Sequence, residues 1–201
     1  MNTKTQNKPV SSKRTMHRQK QQKNRTIRIV VMIVGMVAVI AVFVLLLSSN
    51  SSGSIGSIEG VQSYPTQERG HTDAPVEYDI IPPVGGVHNP AWMNCGVYPQ
   101  PIQNENAVHS LEHGAVWISY RPDLDPLEIA KLEDLTRQSG YRLLSPYPDL
   151  PSPIVISAWG YQLQLQQVDD PRLKSFIEKY ERSPESPEPG APCTGGIGIP
   201  G

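Results

Sequence analysis

Cysteine is scarce in this chain, whose 201 residues include only Cys95 and Cys193. No C-x-x-C pair is present, which excludes dithiol chemistry of the thioredoxin kind. Two cysteines allow a single pairing, and in an oxidising compartment a Cys95–Cys193 disulfide would close a long loop. The alternative is a Cys95 thiolate that serves as a metal ligand or nucleophile while Cys193 stays free. The two alternatives exclude each other.

Acidic residues are absent from the first 50 positions, whereas residues 1–28 hold nine of the 18 Lys and Arg. The remainder of the chain contains the other nine basic residues and all 19 acidic ones, so its formal net charge is −10. Residues 1–28 contain no interleaved aromatic residues and no recognisable fold, so nucleic-acid binding is not indicated. Such a basic tail is typical of a cytoplasmic segment beside a membrane, where it also contacts anionic lipid headgroups.

Polar side chains are missing from residues 29–47, a run of 19 positions. As a helix this run would be about 28 Å long, close to the hydrocarbon thickness of a bilayer. No A-x-A cleavage site and no lipoprotein cysteine follow it, so the run predicts an uncleaved signal anchor. The expected topology is single-pass in the plasma membrane, with a cytoplasmic N-terminus and an extracytoplasmic C-terminal domain.

The outer part divides by composition. Residues 48–60 are rich in Ser and Gly and predict a flexible tether, and the domain proper is expected over residues 61–201. Residues 61–110 are rich in proline and predict ordered loops, with one short strand at 76–81. The Pro/Gly-rich residues from 183 onward predict an extended tail. No internal repeat is present.

Regular elements are predicted after residue 114. Alternating or β-branched patterns predict strands at 115–120, 141–144, 154–159 and 161–166. Asp125 and Pro126 mark the start of a helix over 127–138, and Pro171 begins a second helix that extends to about residue 182. The order β-α-β-β-β-α predicts an α+β fold, with a mixed or antiparallel sheet and the helices on one face. The outer face of 161–166 is expected to be wet.

The candidate chemistry lies in the loop-rich half. His109 and His113 are four residues apart, a spacing that on a helical turn presents two imidazoles to one ion. With His88 they form the predicted metal site, to which His71, Met93 or Cys95 could add a ligand. Imidazole with sulfur suits copper or zinc. The alternatives are a structural hydrogen-bonded cluster and a metal-free ligand or catalytic site.

The string HSLEHG also matches H-x-x-E-H, in which Glu112 would act as the base of a zinc hydrolase. That chemistry needs a long helix, but Gly114 and a strand follow the motif at once. The sequence therefore does not favour an enzyme, and Glu112 is only a weak catalytic candidate.

Four strings resemble the bacterial DUF3105 family, a domain of unknown function: PPVGGVHNPAWMNCGVY (82–98), AVHSLEHGAVWISYRPDL (107–124), LLSPYPDLPSPIVISAWG (143–160) and PEPGAPCTGG (187–196). The resemblance covers most of residues 61–200 and includes His88, His109 and His113. It implies an extracytoplasmic domain anchored in the plasma membrane, and it supplies no activity and no catalytic residue.

Two functions are therefore expected in the first place. One is a membrane-anchored envelope domain that binds copper, zinc or a small ligand through its histidines. The other is a structural or protein-interaction module that holds an envelope partner through its acidic face or a sheet edge. A hydrolase that uses Glu112 is a third and weaker hypothesis.

Overall fold

The computed structural model describes residues 32, 36, 57–65 and 68–201. Ile55–Gly201 forms one compact unit. Of the predicted membrane segment, only Met32 and Met36 are described, and both are helical. Among the described residues, no helix has the length and apolar character needed to cross a bilayer. The anchor over residues 29–47 lies outside the described residues and stays a prediction.

The described unit is built on one mixed sheet, as the sequence predicts. The sheet has six strands in the order β1-β6-β5-β3-β4-β2. The strands are β1 (Gln62–Ser63), β2 (Gly96–Val97), β3 (Val116–Tyr120), β4 (Arg142–Pro146), β5 (Ile154–Ala158) and β6 (Tyr161–Leu165). Strand β4 runs parallel to β2 and β3, and the other pairings are antiparallel.

Between residues 57 and 201, the described residues form three helices beside the sheet. They are α1 (Asn104–Glu112), α2 (Pro126–Arg137) and α3 (Pro171–Tyr180). Helix α2 begins as predicted, because the Asp125 side chain accepts a hydrogen bond from the Leu127 amide and Pro126 occupies the first turn. Asp170 and Pro171 repeat this arrangement at α3. The α+β class is confirmed.

One face of the sheet is covered by α2 and α3. The alternate residues Val116, Ile118 and Tyr120 of β3 point to this side, as expected for a strand whose side chains alternate between faces. The helices contribute apolar residues that are buried against the strands: Leu132, Leu173, Phe176, Ile177 and Tyr180. This core is the main hydrophobic cluster of the domain.

The opposite face is covered by α1 and the loop-rich segment. Trp117 and Leu143 lie on this side with the apolar residues Met93, Tyr98, Ala107, Val108 and Leu111. The expectation that the helices share one face is therefore wrong for α1, although the two predicted helices do share one. All five residues of β3 are buried, because the sheet is sandwiched between the two layers.

Two local predictions are wrong. Residues 76–81 form no strand and consist of bends and irregular backbone. The outer side of β6 is not fully wet either, since Gln162 is 2 % exposed. Its amide donates to the Pro82 carbonyl at 2.8 Å, so the loop segment lies over this polar position.

The C-terminal tail is tied to the domain. Cys95 and Cys193 form a disulfide, with Cα atoms 5.4 Å apart, which confirms the predicted pairing and excludes the Cys95 thiolate. The Cys95 amide donates to the Cys193 carbonyl at 2.7 Å, and Ile197 donates to the Trp92 carbonyl at 2.9 Å. The tail thus lies along residues 92–97 and covers the loop layer.

Candidate metal site

Helix α1 is a short helix with few exposed residues. It ends at Glu112 with His113 as the C-cap, and the next residue, Gly114, has a φ of +92°. A residue in this left-handed region is a usual end to a helix, and glycine adopts it without steric cost. At Gly114 a Cβ would also lie 2.9 Å from the Cα of Arg182, so the position is closed to larger residues.

The polar side chains of α1 hold the preceding loop in place. Asn106 donates to the Ala91 carbonyl at 2.6 Å and Ser110 donates to the Met93 carbonyl at 2.7 Å. Nδ1 of His109 lies 2.7 Å from the Asn89 carbonyl. Side chains of α1 therefore bond to the carbonyls of Asn89, Ala91 and Met93, which are alternate residues of the loop. This arrangement positions His88, the residue before Asn89.

His71 reaches the same place through backbone pairing. The His88 amide donates to the Gly70 carbonyl at 2.9 Å, and the Thr72 amide donates to the His88 carbonyl at 2.8 Å. These bonds make an isolated parallel bridge between His71 and His88. Two histidines from separate loops are thereby placed side by side above α1.

The resulting His/Glu cluster consists of His71, His88, His109 and Glu112. One potential ligand atom from each residue lies within 4.8 Å of all the others. The rings of the three histidines have centroids 4.9–5.0 Å apart. His109 and Glu112 are three residues apart on α1, which places them on one face of the helix. Three imidazoles and a carboxylate are a donor set suited to zinc or copper(II).

Backbone carbonyls fix the orientation of the two buried imidazoles. Nδ1 of His88 lies 2.8 Å from the Gly86 carbonyl, and Nδ1 of His109 is held by Asn89 as described. A carbonyl can only accept, so each Nδ1 carries a proton, and in a neutral ring the lone pair is then on Nε2. Metal-binding histidines are commonly oriented in this way. Gly86 has a φ of +114°, a backbone conformation that side chains disfavour.

The contact between His88 and Glu112 is unusual for a metal-free core. Nε2 of His88 lies 3.0 Å from a carboxylate oxygen of Glu112, while the His88 side chain is 0 % exposed and that of Glu112 is 7 % exposed. The two atoms are not in hydrogen-bond geometry, and among the residues that the structure describes Nε2 of His88 has no hydrogen-bond partner. In the neutral tautomer this places two acceptors face to face with little exposure to solvent, which costs free energy unless a cation or proton lies between them.

Burial keeps His109 in its neutral form. Desolvation lowers the pKa of the His109 imidazole to about 4, against the upward effect of the bond to the Asn89 carbonyl. The neighbouring histidines lower it further, because additional positive charge in the cluster is unfavourable. At neutral pH the Nε2 lone pair of His109 is therefore free to bind an ion.

His113, the second histidine of the predicted pair, lies beside the cluster but faces elsewhere. Its ring centroid is 4.6 Å from that of His109. Nδ1 of His113 lies 2.7 Å from the Pro192 carbonyl, and Nε2 is 3.7 Å from a carboxylate oxygen of Glu188 in the tail. The sequence predicts His88, His109 and His113 as the ligands, with His71 as a possible addition. The described cluster keeps His88 and His109, includes His71 and Glu112, and does not include His113.

Sulfur is not among the donors of the described cluster. Cys95 is held in the disulfide, and Met93 is buried in the apolar layer with its side chain close to Gly198. The aromatic neighbours of the cluster are Trp159, whose ring is 5.9 Å from that of His88, and Trp92, 5.7 Å from His109. The carbonyls that orient the rings could not be identified from the sequence, because backbone groups leave no residue signature.

The family assignment agrees with this placement. The family described as "Protein of unknown function (DUF3105)" matches residues 71–195. The chain belongs to the DUF3105 family. No curated protein and no solved structure matches the chain. The DUF3105 region begins at His71 and contains all four residues of the His/Glu cluster and both cysteines, so the site and the disulfide that holds its covering tail lie within it.

Proposed function

We propose that this DUF3105 domain binds one transition metal ion, zinc or copper(II), at His71, His88, His109 and Glu112. The observation that carries the proposal is the buried Nε2 of His88, which faces a carboxylate oxygen 3.0 Å away and has no hydrogen-bond partner in the described part of the chain. A divalent cation between the two groups would satisfy both lone pairs. Together with the predicted anchor, this describes an extracytoplasmic metal-binding domain on the plasma membrane.

The donor set selects among metals. Neutral imidazoles and a carboxylate suit zinc and copper(II), whereas copper(I) favours sulfur donors, which the cluster lacks. In a tetrahedral zinc site with bonds of 2.0–2.1 Å the ligand atoms are about 3.3 Å apart. The His88–Glu112 distance of 3.0 Å is already close to this spacing, and the His71–Glu112 distance of 4.0 Å would shorten on binding.

A metal-free cluster is the second candidate. Protonation of His88 would turn the same contact into a buried ion pair with Glu112, and the cluster would then serve only to hold two loops on α1. Such a domain would fit the role of a structural or interaction module of the envelope. Buried ion pairs of this kind give little net stability, so this alternative explains the cluster less well.

The deciding experiment measures metal content. The full chain, purified in detergent and stripped with chelator, is equilibrated with Zn(II) or Cu(II), and bound metal is counted after desalting. We expect one equivalent in the wild type, and a loss of most of it in Glu112→Gln, which keeps the size of the side chain. His113→Ala is the matched control, because it removes a buried neighbouring histidine from outside the cluster.

Metal binding also stabilises the fold by mass action. At a free metal concentration 100 times the Kd, the gain is about 2.7 kcal/mol, which a thermal melt detects. Absence of both bound metal and stabilisation in the wild type would leave the ion-pair alternative. Loss of metal in His113→Ala, with Glu112→Gln unaffected, would assign the site to the pair of histidines in the sequence motif instead.

A further inference from the structure

The four residues of the His/Glu cluster differ sharply in exposure. The side chain of His71 is 51 % exposed, while those of His88 and Glu112 are 0 % and 7 % exposed. His109 is also buried, at 5 %. Solvent therefore reaches the cluster on the side of His71, whereas the other three residues are buried.

The residues also differ in how their side chains are held. The rings of His88 and His109 are each fixed by a carbonyl at Nδ1, and Glu112 is part of α1. Within the described part of the chain, the ring of His71 has no hydrogen bond. Its contacts are the neighbouring imidazoles and Glu112, 4.0 Å from its Nε2.

The backbone at His71 is nevertheless secured. The amide of Thr72 and the carbonyl of Gly70 both bond to His88, so the Cα of His71 stays beside the cluster whatever the ring does. Rotation about the side-chain bonds can then move the imidazole between the ion and solvent without disturbing the loop. Exposed side chains make such rotamer changes in picoseconds to nanoseconds when no strong bond opposes them.

We propose that His71 is the exchangeable ligand of the site, through whose position the ion enters and leaves while His88, His109 and Glu112 hold it. This inference rests on the proposed metal binding. With such a ligand, the domain would exchange its ion with carriers on the outer side of the membrane and would not store the ion permanently.

The exchange is a ligand substitution without redox change. The bond between the ion and Nε2 of His71 breaks as a bond from the incoming donor's lone pair forms. A divalent ion with the Glu112 carboxylate and neutral imidazoles leaves a net charge of +1. Donors that carry negative charge, such as the carboxylates of a chelate or the acidic ligands of a carrier, are therefore favoured as exchange partners.

The test is the rate of zinc transfer to excess EDTA from the full-length protein loaded with one equivalent. His71→Ala removes one ligand, so it should bind zinc more weakly than the wild type and release it faster. At excess zinc it should still be filled, because three ligands remain. The expected acceleration is at least roughly 10- to 100-fold, because the loss of a group that only orients a ligand already lowers metal affinity by about this factor. His113→Ala should release zinc at the wild-type rate, and circular dichroism should show that both variants are folded.

The outcomes separate this inference from the proposed function. If His71→Ala bound no zinc even at excess metal while the wild type bound one equivalent, His71 would be an indispensable ligand. The inference about exchange would then be overturned, and the proposed function would stand. Release at the wild-type rate would also overturn the inference, by showing that exchange takes another route. A wild-type protein that takes up no zinc would overturn both, and this result is obtained before any variant is made.

Discussion

The two layers on either side of the central sheet are built by different means. The layer of α2 and α3 is held by apolar side chains that recur with helical spacing. The layer of α1, the loops and the tail is held by hydrogen bonds to backbone carbonyls, by one disulfide and by a smaller apolar cluster. The candidate site lies in the second layer. The first layer thus supplies most of the hydrophobic core, and the second supplies the chemistry.

The strongest test of this division removes a core side chain from the first layer. Phe176 on α3 is 0 % exposed, and Phe176→Ala should lower the free energy of unfolding by roughly 3–5 kcal/mol, through lost burial and the cavity left behind. Urea denaturation measures this loss. Zinc bound per folded molecule should stay at one equivalent, because the His/Glu cluster lies on the opposite side of the sheet.

A matched control is available on α2. Leu127 is 76 % exposed, so Leu127→Ala removes an apolar side chain that is not buried and should change stability by less than about 0.5 kcal/mol. If Phe176→Ala lost zinc to the same degree as Glu112→Gln while still folded, the two layers would be coupled and the division would be wrong.

The same division explains what the sequence could predict. Strands β3 to β6 and helices α2 and α3 begin and end within two residues of the predicted positions. The spacing of apolar residues that predicts these elements lies within the sequence of each element itself. Helix α1 was missed because Asn106, His109 and Glu112 are polar yet buried. Only the loops that cover the helix bury these polar residues, so its apolar face is limited to Ala107, Val108 and Leu111 and gives a weak helical pattern.

The cluster was found only in part. His88 and His109 were predicted as ligands from residue type and spacing, and both are in it. His71 was a weaker candidate, because its place depends on a backbone bridge to His88 between two irregular segments, which has no periodic signal. His113 shares the helical spacing but takes its partners from the tail, whose course depends on the disulfide.

The next prediction concerns the disulfide that holds the second layer. Replacing both Cys95 and Cys193 by Ser should lower the free energy of unfolding by roughly 2–5 kcal/mol, since the bond closes a loop with a sequence separation of 98. Hydrogen exchange should locate the change. Amides near residues 92–97 and 191–197 should lose protection first, while those of β5 and β6 keep theirs.

Reductant provides the control for that experiment. Treatment with reductant should reproduce the effect in the wild type and leave the double Ser variant unchanged. Equal loss of protection in β5 and β6 at low denaturant would show that the two layers unfold as one unit. The tail would then not be a separately held part of the structure.

The smallest expected effect is electrostatic and lies at the start of α3. Hydrogen bonds from the Arg172 side chain, then from its amide, hold the pKa of the Asp170 carboxyl below its ordinary value of 3.8. A carboxyl with a depressed pKa in the folded state binds fewer protons there than in the unfolded chain. Its contribution to stability is therefore complete above the unfolded pKa and disappears as the pH falls through the lower, folded value.

Asp170→Asn separates this charge effect from helix capping. Asparagine caps a helix about as well as aspartate, so the hydrogen bond to the Arg172 amide is kept while the ion pair is lost. At neutral pH and low salt the melting temperature should fall by about 1–3 °C, since partly exposed ion pairs contribute little. The difference from the wild type should shrink with added salt and vanish in acid. A constant difference from neutral to acid pH would instead mean that the substitution impairs the cap itself, so that the first layer depends on local hydrogen bonds as the second does.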